Sequence, residues 1–164
     1  MAALTKLESK LGEVTGLAMA AQTVTSMVIQ LTESHDATLV ETLQSMHEDA
    51  AETEERCTEL AETFDGKRAA ILETAQAAKR RTAALLSAYL DTEASALEGF
   101  EFLTMAVAGE VGQWSILTQF NVRAGNEDLA QLIAWAVPIQ HRHLAAVLEG
   151  SRELASEEDP DTPA

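Results

Sequence analysis

Apolar residues recur every three or four positions through most of this chain. Leu7, Leu11, Val14, Ala18, Ala21, Val28 and Leu31 form one such stripe and predict a helix from about Leu4 to Glu33. Ser34-His35-Asp36 supplies the turn, with Ser34 or Asp36 as the next helix cap. Leu39, Leu43, Met46, Ala50, Cys57, Leu60 and Phe64 carry a second helix whose outer face is acidic from Glu48 to Glu62. Asp65-Gly66 ends it with a C-terminal signal. An Ala-rich helical segment, weaker in pattern, follows from Lys67 to Ser87 and holds the basic run Lys79-Arg80-Arg81. Leu97, Phe100, Leu103, Val107, Val111, Trp114 and Leu117 then mark a long helix from about Thr92 to Arg123, with no breaker before it.

Ala124-Gly125-Asn126 reads as a tight turn, and a last helix runs from about Glu127 to Leu154. Its Leu132, Trp135, Ile139 and Leu144 point more than one way around the axis. They require cover from the segment after Gly66 or from a second subunit, and a homodimer is the expectation. Pro138 removes one backbone hydrogen bond and predicts a local kink.

Composition agrees with a few long helices. Only 8 glycines and 3 prolines interrupt 164 residues, and this length supports one self-sufficient core. The expected organisation is a single all-α domain over 1–155, followed by an acidic disordered tail over 156–164. A net charge of −16 argues against nucleic acid and anionic membranes, which call for basic patches. The apolar window from Leu129 to Leu148 is interrupted by Gln131, Gln140, His141, Arg142 and His143, so no membrane span is expected there. With no basic-then-apolar leader in Met1 to Leu11 and a single cysteine, Cys57, expected in the core, a reducing, cytoplasmic setting is expected. No Gly-rich phosphate loop, nucleophile elbow or Cys-x-x-Cys is present.

The candidate chemistry lies in a pattern that occurs twice. Gln44-Ser45-Met46-His47 and Gln140-His141-Arg142-His143 both read Gln-x-x-His, and residues three apart share a helix face. Antiparallel helices rise by about 1.5 Å per residue, so residues equidistant from a turn sit level. Around His35, Gln22 faces His47; around Gly125, Glu110 faces Gln140, with His143 one turn on. Each of these falls between apolar positions of its helix. Four helices are thereby predicted to send polar groups to mid-bundle.

These residues resemble a ferritin-like domain, and most closely the bacterial YciF-type stress-response subgroup. The resemblance is carried by Ala20-Ala21-Gln22, by the stretch from His47 to Thr53 followed by Phe64 and Gly66, and by Gly109-Glu110-Val111-Gly112-Gln113-Trp114. It implies a ferritin-like four-helix bundle with a long crossover, between the second and third bundle helices, carrying an extra short helix. It also implies a metal centre, because Glu-x-x-His on two helices and one Glu from each of two others hold paired ions in that fold.

Carried over residue by residue, the ligand positions are Gln22, Gln44, His47, Glu110, Gln140 and His143, with glutamine standing at three places where the family has glutamate. One carboxylate cannot neutralise two divalent ions, and uncompensated buried charge costs several kcal/mol or more per ion. Three readings follow: a neutral polar network, a single iron or zinc ion on His47, Glu110 and His143, or a two-metal site using further carboxylates such as Glu13 or Glu101. The first makes the chain a stress-associated binding or scaffold module with a degenerate centre. The others make it an iron-dependent oxidoreductase or iron-handling protein.

Overall fold

A computed structural model describes residues 3–91 and 93–162. The chain is all-α: α1 spans Lys6–Thr32, α2 Ala37–Glu62, α3 Arg68–Tyr89, α4 Ala96–Ala124 and α5 Glu127–Glu157. No strand occurs among the described residues.

Local chemistry sets the ends of these helices. Thr5 and Glu8 form a reciprocal capping box at the start of α1, as Ser95 and Glu98 do for α4. Asp36 caps α2 through the Thr38 amide. Asn126 caps α5 through the Leu129 amide, while its own amide and carbonyl are held by the Asn121 side chain. Gly125 takes the left-handed conformation that closes α4 (φ 68°), where a Cβ would be strained.

Two boundaries differ from expectation. The segment after Gly66, read as helical from Lys67 to Ser87, is a 22-residue helix, longer than the short one the resemblance implies. It is separated from α4 by extended backbone at Leu90 and by the Ser95 cap. The Ser95-x-x-Glu98 signal therefore does the work of a breaker. Thr92, the expected start of that helix, lies outside the described residues. At the other end α5 continues to Glu157, into the span read as tail.

α1 is the hub. It packs along α2, α3 and α4; α4 pairs with α5, and α5 returns to α2. The approach of α3 is close. A Cβ on Gly12 would lie 2.6 Å from the Ile71 carbonyl oxygen, and one on Gly16 would lie 2.1 Å from that of Ala75. Among the described helices, α1 alone is long and apolar enough to cross a membrane; half of its most apolar window is buried among the other helices. That places the most span-like segment in α1, not between Leu129 and Leu148.

Leu132 and Ile139 of α5 are buried within the chain itself, and Trp135 lies under the Arg56 guanidinium of α2, 4.2 Å from its ring centre. The neighbouring helices of the same chain thus bury two of the four residues that suggested a second subunit and partly cover Trp135 and Leu144. Cys57 is fully buried, with its thiol pushed up to about 12 by desolvation, an inert core residue.

Candidate functional site

The hydrophobic core falls into two clusters. One contains Val24, Met46, Val107 and Val147, and the other Val14, Cys57, Trp114 and Ala136. On each of these four helices, the residues between the two clusters make a waist. α4 and α5 fill it with Glu110, Gln140 and His143, all buried. α1 and α2 fill it with Ala18, Ala50 and Thr53, equally buried. The expected polar layer therefore exists on one hairpin and is replaced by small side chains on the other.

Gln22, Gln44 and His47 do not join the interior. The buried stripe of α2 runs Leu43, Met46, Ala50, Thr53, Cys57. His47 lies one residue after Met46, about 100° further round the helix. It is half-buried in the outer seam between α1 and α2, beside exposed Gln44, where the two line a shallow depression with Ser26 and Ile29. Its Nδ1 is 3.1 Å from the Gln22 carbonyl oxygen and 3.1 Å from the Thr25 hydroxyl. The Thr25 hydroxyl donates to the Ala21 carbonyl, which leaves the Gln22 carbonyl as acceptor for an Nδ1–H. The predicted level of Gln22 and His47 is thus correct, but the contact is to backbone. The Gln22 side chain turns instead to the Glu54 carboxylate.

His143 meets a residue that periodicity alone did not single out. Its Nε2 is 2.8 Å from Oδ2 of Asp49 on α2, and the same oxygen accepts from Arg142 Nη2 at 2.8 Å. Burial pushes the His143 imidazole below its usual range, and the Asp49 carboxylate only partly offsets this. His143 is consequently neutral at pH 7 and donates through Nε2 to Asp49. Asp49 lies six residues after Leu43 on the side of α2 facing α5. An acidic residue flanking an otherwise buried stripe, level with Arg142-His143, is the signal that identifies it.

Among the described residues, Glu110 has no such partner. Burial alone pushes its carboxyl up to about 8, so the group holds its proton at neutral pH. It lines a cavity of about 330 Å³ between α1, α3 and α4. Leu17 and Val24 of α1, Leu85 and Tyr89 of α3, and Met105 of α4 supply much of the remaining wall. Leu85, Tyr89 and Met105 are large apolar side chains left exposed at 64%, 46% and 51%. Across the α4–α5 hairpin, Gln140 Oε1 is completely buried and accepts no hydrogen bond among the described residues. An orphaned acceptor of this kind costs about 1–3 kcal/mol.

These placements do not fit the metal centre implied by the resemblance. His47 is tied to the backbone of α1, His143 to Asp49, and Glu110 lines the cavity toward α3. Among the described residues, no three His, Cys, Asp or Glu are grouped to hold an ion. Comparison with protein-family models, with curated proteins and with solved structures gives no match for this chain.

Proposed function

We propose that the chain is a non-enzymatic binding module, in which α1, α2, α4 and α5 form a ferritin-like bundle and α3 completes a small-molecule cavity on its side. The mid-bundle layer, on this reading, is the degenerate remnant of a metal centre, consistent with the stress-associated role that the resemblance implies. The observation that carries the proposal is the apolar cavity with a buried, unpartnered carboxyl in its wall. Small-molecule sites are concave and mostly apolar, with a few polar groups that fix orientation. The cavity also explains why Leu85, Tyr89 and Met105 are left exposed around one opening. The alternative, iron handling through His47, Glu110 and His143, draws no support from their positions.

Thermal unfolding with added 1-decanol tests the binding reading. Binding to the folded state raises Tm with the logarithm of ligand excess over Kd. The wild-type chain should show a rise that keeps growing with the logarithm of decanol concentration, and Ala106→Phe, which places a ring in the cavity wall, should abolish it. No rise with either 1-decanol or 1-aminodecane, in a folded wild-type protein, removes the proposal.

A further inference from the structure

We propose that the ligand of the α1–α3–α4 cavity is a hydrophobic primary amine whose ammonium group is held by Glu110. This rests on the cavity being a ligand site and specifies what the site selects. With about 30 Å³ for each water molecule in the liquid taken as the room for one non-hydrogen atom, a volume of about 330 Å³ suits an apolar body of about eleven atoms. The wall is largely hydrocarbon, so most of the ligand must be apolar too.

The polar end of the ligand is decided by what faces Glu110. Among the residues lining the cavity, α1 contributes no titratable group, α3 contributes Tyr89, and α4 contributes Glu110 itself. From α5, which packs on α4, the buried polar groups are Gln140 and the neutral His143. At the opening, the Tyr89 hydroxyl lies 3.4 Å from the Glu101 carboxylate, with Glu98 close enough to act on the same hydroxyl. Arg81, next to Thr82 of the wall, sits on the α3 side. Among the described residues, no lysine or arginine lines the cavity.

Three head groups can be compared on this ground. A carboxylate ligand meets a second carboxyl in a chain of net charge −16 and is disfavoured. An alcohol leaves Glu110 protonated and makes only a neutral hydrogen bond. An alkylammonium, with a pKa near the lysine value of about 10.4, stays charged when it enters. Glu110 then gives its proton to solvent, and the ammonium donates to the resulting carboxylate. Charge-assisted hydrogen bonds of this type are roughly twice as strong as neutral ones, and the pair leaves neither buried charge uncompensated.

Isothermal titration of the full chain with 1-aminodecane, 1-decanol and decanoate provides the test, using wild type and Glu110→Gln. The amide is close in shape to the protonated acid, so the variant keeps the fold. At pH 7 the amine should bind wild type at least tenfold more tightly than the alcohol, with close to one proton released per ligand when buffers of different ionisation enthalpy are compared. Affinity for the amine should rise about tenfold per pH unit below the Glu110 pKa and level off above it. Glu110→Gln should lose the amine preference and the proton release while keeping the alcohol. Equal amine binding by Glu110→Gln indicates adsorption to the acidic surface and overturns the proposal. Equal affinities of wild type for amine and alcohol, without proton release, overturn the amine assignment but leave the cavity as an apolar site. Binding of none of the three ligands overturns the site reading itself.

Discussion

The two Gln-x-x-His motifs share a sequence pattern and have opposite fates. In α5, Gln140 and His143 lie on the buried stripe with Ala136 and Val147, and both are enclosed. In α2, Gln44 and His47 lie one residue past the stripe formed by Leu43 and Met46, so one is exposed and the other bonds sideways to α1. A rotation of about 100° separates a core histidine from a seam histidine. Three-residue spacing establishes that two groups share a face; it does not say which face is buried.

Matched substitutions at the two motifs sharpen that contrast most strongly. Gln140→Glu places a second carboxyl in the interior, and keeping it protonated at pH 7 costs about 1.4 kcal/mol for each pH unit above its ordinary pKa, about 4 kcal/mol in all. Gln44→Glu, on the exposed face, should stay within about 0.5 kcal/mol of wild type. Urea unfolding measures both, and equal losses would place the two glutamines in similar surroundings.

The second test uses pH, because α4–α5 carries two buried titrating groups with opposite slopes. Glu110 holds its proton in the folded state up to about pH 8 but loses it near the ordinary carboxyl value when unfolded. The folded state therefore binds more protons in between, and its stability falls as pH rises through that range. His143 is depressed, so the unfolded state binds the extra proton below about pH 6.5, and stability is lost on acidification there. The two trends oppose each other below about pH 6.5, and Glu110 acts alone above it. Stability should fall by about 2 kcal/mol between pH 6.5 and pH 8. Glu110→Gln should flatten this limb, and an unchanged slope in that variant would assign the titration elsewhere.

The smallest separation is between the histidines themselves. His143→Ala opens space at the waist and removes the Asp49 hydrogen bond, for a loss of about 2 kcal/mol. His47→Ala removes a partly solvated contact to the α1 backbone and should cost about 1 kcal/mol. A larger loss at His47 than at His143 would reverse the comparison.

Much of the fold was legible before any coordinates. Helices, turns and caps follow from 3.6-residue periodicity and from side chains that bond neighbouring amides. For that reason Asp36, Gly66 and the Gly125-Asn126 turn stand where local chemistry puts them. The level of Gln22 against His47 was also legible, since antiparallel helices rise equally from a shared turn. Less accessible were the Ser95 boundary, obscured by the helical residues on both sides, and Asp49, masked by the acidic run in which it sits.

The sequence by itself determined that this chain is five helices' worth of amphipathic segments, with polar residues at or beside the apolar stripes near the middles of four of them. Those facts depend only on neighbours within a few residues. Tertiary structure alone decided that Glu110 lines a cavity toward α3 without a partner, that Asp49 holds His143, and that α3 lies against Gly12 and Gly16. The physical reason is the rotation of each helix about its own axis. It is set by packing against several other helices at once, and a shift of one residue moves a side chain from core to seam.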